Sequence, residues 1–146
     1  MAGETTAAVA SAVRNQMGNP GAGLWPLRFD LAYSTTQNET NDVMEAGYLP
    51  AGVKVAAVQA ASTDMDSGIA AVVHKVTVGS TDIVTGLTVA QAGTASITPT
   101  TTAYIQAAPV ASEQLIKVTT TTAAATGVAG TLTLILWCYN AKVTPT

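Results

Sequence analysis

From Leu27 to Tyr33 the chain reads Leu-Arg-Phe-Asp-Leu-Ala-Tyr, with a large apolar side chain at every second position and a charged or small one between. A period of two belongs to a β-strand with one face buried, because a helix would scatter those four side chains around its axis. Near the other end, Thr131 to Tyr139 is apolar on both faces, the mark of a central or doubly covered strand. Further β-rich runs lie between. Val43 to Tyr48 is stopped by Pro50, and Ala51-Gly52 turns into Val53 to Val58, where Val53 and Val55 share one face and Lys54 takes the other. Ile69 to Val78 leads to a turn at Gly79-Ser80, and Asp82 to Ala90 and Ala103 to Ala107 follow as strand candidates. In Leu115 to Thr120, the residues Ile116, Val118 and Thr120 make the more apolar face. Polar or Gly-rich stretches at Ser34 to Asp42, Ser62 to Gly68 and Thr126 to Gly130 read as loops.

Seven or eight short strands separated by Gly and Pro predict an all-β domain, a sandwich or jelly roll, over residues 25–146. A competing reading takes the Ala runs at Ala56-Ala57, Ala60-Ala61 and Ala123-Ala124-Ala125 as helices, but the Val, Thr and Gly among them count against it. With 27 Ala, 24 Thr, 16 Val and 12 Gly in 146 residues and only seven aromatics, the interior must be thin and closely approached by backbone. That suits stacked sheets, or an oligomer that completes its core across subunits. Residues 1–24 read as an N-terminal arm. Thr6 to Arg14 could form a short helix with Val9 and Val13 on one face, yet Asn19-Pro20-Gly21-Ala22-Gly23 breaks it, so the arm is expected to take its order from whatever it lies against.

Charge narrows the function. Six Lys and Arg, scattered through the chain, cannot supply the phosphate contacts of a nucleic-acid binder. At 10% charged and 48% hydrophobic residues the chain is expected to fold or assemble, with much of its surface covered by neighbours. The N-terminus lacks a basic region ahead of an apolar run, and no stretch approaches 18 apolar residues, so a soluble protein made in the cytosol and independent of membrane is expected. Cys138 has no second cysteine to pair with, and its place in an apolar strand reads as a small buried hydrophobe.

Few residues hint at chemistry. Asp64-Met65-Asp66-Ser67-Gly68 resembles the opening of a calcium loop, but Ile69-Ala70-Ala71-Val72-Val73 supplies no acid to close a coordination shell. A turn in which Asp64 or Asp66 caps backbone amides is the preferred reading, with cation binding left open. His74 has neither a second His nor a nearby Cys for a metal, and no nucleophile motif accompanies it. No glycine pattern for nucleotides occurs, so the reading assigns no catalytic, cofactor-binding or metal residues and no cofactor. Thr98 to Thr102 and Thr119 to Thr122 would present weakly polar sheet faces to solvent or to another subunit. Trp25 and Trp137 are the large anchors, Trp137 as core.

Four strings carry a resemblance. They are Asn19-Pro20-Gly21 at the end of the arm, Gly47-Tyr48-Leu49-Pro50-Ala51-Gly52-Val53-Lys54, Asp64-Met65-Asp66-Ser67, and Ala125-Thr126-Gly127-Val128-Ala129-Gly130-Thr131-Leu132-Thr133-Leu134 running on to Trp137-Cys138-Tyr139-Asn140. In these the chain, from about residue 24 to 140, resembles the small capsid-decoration or head-cement proteins of bacteriophage virions. The resemblance implies a β-sandwich or jelly-roll body on the outer capsid surface, a homo-oligomer with a trimer favoured over a dimer, and arms that reach across capsomer joints. It implies the major capsid protein as partner, and no catalysis. Two alternatives stand beside it: a receptor- or carbohydrate-binding virion module using Tyr33, Tyr48 and Tyr104, and another capsid or tail component. A jelly-roll hydrolase or lyase is disfavoured because the usual His-rich metal set is missing.

Overall fold

A computed structural model describes residues 23–141. They form eight strands: β1 (Trp25–Tyr33), β2 (Val43–Leu49), β3 (Val53–Ser62), β4 (Val73–Val78), β5 (Thr81–Leu87), β6 (Ala95–Pro99), β7 (Gln114–Thr122) and β8 (Gly130–Asn140). A 3-10 turn, Val89–Gln91, follows β5, and a short helix, α1 (Thr102–Gln106), follows β6. β1 pairs with β8, β2 with β7, β3 with β6 and β4 with β5, all antiparallel. The chain is therefore one long two-stranded ribbon doubled back at the β4–β5 turn. Rolling that ribbon brings β8 against β3 and β7 against β4, which makes two four-stranded sheets, β1-β8-β3-β6 and β2-β7-β4-β5. This is a jelly roll, one of the two all-β architectures expected.

The alternation that predicted β1 is what closes the sandwich. Trp25, Leu27, Phe29, Leu31 and Tyr33 all face inward and are buried, and every residue between them is exposed. β8 lies between β1 and β3 and turns Leu132, Leu134, Leu136 and Cys138 into the same core. Ile116 and Val118 of β7 and Val76 and Val78 of β4 meet them from the opposite sheet. Close approach is enforced where β8 begins: a Cβ on Gly130 would stand 2.2 Å from Thr63 Oγ1 and 2.6 Å from Met65 Cγ.

Four expectations change. Ile69 to Val72 is not strand, because the Asp66 carboxylate takes the amides of Ala71 and Val72 that a ladder would need. Ala103 to Ala107 lies in a helical turn, with the Thr101 hydroxyl accepting from Tyr104 N at 3.3 Å. β6 escaped notice because Ala-Ser-Ile-Thr-Pro carries almost no apolar period. Trp137 stands half-buried on the outer face of β8 instead of in the core, while Trp25 is the buried one. The arm expected over residues 1–24 lies outside the described residues save for Gly23 and Leu24, and Leu24 is 55% exposed. No helix among the described residues is long and apolar enough to cross a membrane.

Candidate functional site

Asp66 spends its carboxylate on its own backbone. Oδ2 accepts from Ala71 N at 2.7 Å and Val72 N at 2.8 Å, and Oδ1 accepts from Thr126 N at 3.0 Å. Burial alone would raise its pKa, but the amides of Thr126, Ala71, Val72 and Ala125 outweigh that and hold it below the usual carboxylate value. Asp64 Oδ1 accepts from Asp66 N at 3.0 Å, so the pair forms the capped turn preferred from sequence. Among the described residues no three His, Cys, Asp or Glu gather into a set that could hold a metal ion.

His74 is fully buried beside Tyr33, its ring 5.7 Å from the Tyr33 ring, and its Nε2 lies 2.8 Å from Asn38 Oδ1. Desolvation lowers its pKa to about 4, so the ring is neutral near pH 7 and is a structural member of the core. Cys138 is equally buried, and loss of water pushes its thiol well above the usual value, which makes it a poor nucleophile. Among the described residues a small pocket lies at the opposite end of the sandwich, where Lys54 reaches out of β3 beneath α1. Its ammonium donates to the carbonyls of Tyr104, Ile105 and Ala107 and sits 4.5 Å from the Tyr104 ring centroid. Tyr104 Oη accepts from Val55 N at 3.1 Å, and burial pushes its hydroxyl up to about 12. The pocket beside them, between Val53, Thr81, Val110 and Gln114, has about 50 Å³, room for water but not for an organic ligand. Lys54 is thus a clasp for the β6–β7 crossover, a role its strand position did not reveal.

Among the described residues the broadest features are the two sheet surfaces. Directly opposed residues share a face, so the outer rows of β1-β8-β3-β6 read Pro26-Trp137-Ala57-Pro99, Arg28-Ile135-Gln59-Ile97 and Asp30-Thr133-Ala61-Ala95. Ile97 is 65% exposed, and Trp137 Nε1 donates to Gln59 Oε1 at 3.2 Å across the face. The only charges in those rows are Arg28 and Asp30, paired at 3.2 Å on the edge strand. The outer face of β2-β7-β4-β5 is different. One row reads Glu45-Lys117-Thr77-Asp82 and the next Val43-Thr119-Lys75, with Lys75 3.2 Å from Asp82. In these rows the first face carries two charges, both on its edge strand, and the second carries four spread over all its strands, an asymmetry that no single strand's sequence displays. Thr119 and Thr121 do stand on the polar face, but Thr120 turns into the core, and Thr100 stitches β6 to β3 by donating to Val55 O at 2.9 Å. Of the three tyrosines considered for glycan binding, Tyr33 and Tyr104 are buried.

No protein-family model matches this sequence, and no curated protein aligns with it significantly. Solved structures do match. The chain superposes on a chain of the capsid of Ralstonia phage GP4 with a TM-score of 0.71 and 23% identity, over 85% of this chain and 88% of that one. It superposes on a chain of the cyanophage Pam1 capsid asymmetric unit with a TM-score of 0.65 and 24% identity, over 82% of this chain and 87% of that one. At such identity the likeness establishes the fold, a two-sheet β-sandwich shared over most of their length with chains from two phage capsids.

Proposed function

We propose that this chain is a non-enzymatic structural protein of a bacteriophage capsid, and that within the virion it binds the major capsid protein on the shell's outer surface and holds neighbouring coat subunits together. The observation that carries the capsid reading is the two-way coverage. Because 85% of this chain matches 88% of one capsid chain and 82% matches 87% of the other, those chains are about as long as this one, and the correspondence spans most of each. By itself that likeness serves any capsid component of this size. The bound-subunit reading draws its support from the two faces. A sheet face whose charges lie only on its edge strand can be covered by protein at little desolvation cost, whereas the face bearing Glu45, Lys117, Lys75 and Asp82 is suited to water.

Co-sedimentation of the purified full chain with capsids that lack it tests both levels. The expected result is pelleting at a fixed, saturable copy number per capsid. A chain that stays in the supernatant, while assembling only with tail or receptor-binding parts, would overturn the capsid-surface reading.

A further inference from the structure

The jelly roll ends in four edge strands: β1 and β6 on one sheet, β2 and β5 on the other. An open edge is a template for a further strand, and proteins blunt it with bulges, brevity, proline or charge. Three of these edges are short or broken in register, whereas β1 carries Pro26, Arg28 and Asp30 but no break. β2 breaks register between Glu45 and Gly47, β5 has two breaks in its pairing with β4, and β6 is five residues long and ends in Pro99. β1 is nine residues long and pairs with β8 without a break. Among the described residues, no turn or loop backbone hydrogen bond reaches it.

The sequence of that open strand is Trp25-Pro26-Leu27-Arg28-Phe29-Asp30-Leu31-Ala32-Tyr33, which is chemically symmetric about Phe29. Laid antiparallel against a copy of itself about a two-fold axis at Phe29, it sets Arg28 opposite Asp30 of the second copy, and Asp30 opposite the second copy's Arg28. On the inward face Phe29 meets Phe29, Leu27 meets Leu31 and Trp25 meets Tyr33. Opposite charges and aromatic pairs directly across strands are the favourable combinations. In the single chain Arg28 and Asp30 pair with each other and Asp30 also accepts from the Thr133 hydroxyl, yet their side chains stay 65% and 51% exposed. Pro26 falls opposite Ala32, at the end of the paired stretch, where its missing N–H ends the ladder and leaves the centre intact.

We propose that β1 is a self-recognition edge through which two copies of this chain join into one eight-stranded sheet, in the order β6-β3-β8-β1-β1-β8-β3-β6. The pairing is isologous, so it closes on itself and offers no free end for fibre growth. It also makes one continuous outer face from two, with the Arg28 and Asp30 charges gathered at its centre. A two-fold dimer is a different assembly from the trimer that the family resemblance favours, and it requires no capsid to be observed.

Sedimentation equilibrium on the full chain tests this, with the mass of two chains expected. Arg28→Asp sets like charges opposite each other twice per dimer and should raise the dissociation constant about tenfold or more. Asp30→Arg should do the same. The double variant Arg28→Asp/Asp30→Arg restores opposite charges across the two-fold and should recover dimerisation. It must do so despite losing the Thr133 hydroxyl bond to Asp30, 2.6 Å in the wild type. Circular dichroism of each variant below the dissociation constant establishes that the monomer still folds, and Ala32→Pro, which sets a second proline opposite Pro26 without changing charge, gives an independent loss. A chain that is monomeric at sub-millimolar concentration, or trimeric and indifferent to these changes, would overturn the proposal. So would a double variant as weak as the singles. A dimer that forms only after residues 1–22 are deleted would assign the edge to the chain's own N-terminal segment and overturn it as well.

Discussion

His74 and Asp66 show how differently two ionisable groups can be held inside one core. Asp66 keeps its charge because backbone amides surround it, while His74 gives its charge up because burial strips it of water, and among the described residues its Nδ1 meets no partner. The linkage follows from the direction of the histidine shift. With an ordinary value of 6.5 and a folded value of about 4, the folded state refuses a proton that the unfolded chain accepts. Above pH 6.5 His74 therefore costs nothing. As pH falls from 6.5 towards 4, stability is expected to drop by about 1.4 kcal/mol per unit, about 3 kcal/mol in all, and then to level off for this group. Urea unfolding at pH 7.5, 5.5 and 4.5 measures it, and His74→Gln should flatten the slope. The carboxylate of Asp66, depressed in pKa, adds its own loss only at lower pH. That Asp64 and Asp66 cap a turn was legible from the residues. Which amides they hold was not, since Thr126 is brought to Asp66 from 60 positions away.

At the scale of elements, the strands with a strong period were the most directly legible, though β2, β3 and most of β5 were placed from β-rich composition and turn signals. β1, β7 and β8 each bury alternate residues against one partner sheet, and that demand is written into their side chains. The segments that sequence misjudged are held by groups outside themselves. α1 exists because Lys54 and Thr101 collect its backbone groups, and Ile69 to Val72 is kept from a strand by Asp66. Loop packing gives the same lesson at Gly127, where an added Cβ would stand 2.3 Å from the Thr35 carbonyl oxygen. Because that oxygen belongs to backbone, Gly127→Ala must push the β1–β2 loop away from the β7–β8 loop. A destabilisation of about 2 kcal/mol is expected by denaturant unfolding, against a near-neutral Ala129→Gly on the same loop.

For the whole molecule, the two outer faces give the prediction that ties fold to function. Ile135→Lys, in the middle of the less charged face, should abolish co-sedimentation with capsids while leaving the unfolding midpoint within about 0.5 kcal/mol of the wild type. Thr119→Lys, on the more charged face, should leave binding unchanged. Equal losses from both, or from neither, would mean that the less charged face is not the seat. By itself the sequence determined that this chain would be all-β, a sandwich or jelly roll, that Cys138 would be buried, and that β8 would be central or doubly covered, because each depends on which side chains must leave water along one strand. Only the tertiary structure decided which sheet each strand joins, that Trp137 faces outward and that Lys54 is covered. It alone set a face with two edge charges against a face with four. Those properties depend on residues from β1, β3, β6 and β8 lying side by side, an arrangement set by the rolling of the ribbon and carried by no local pattern.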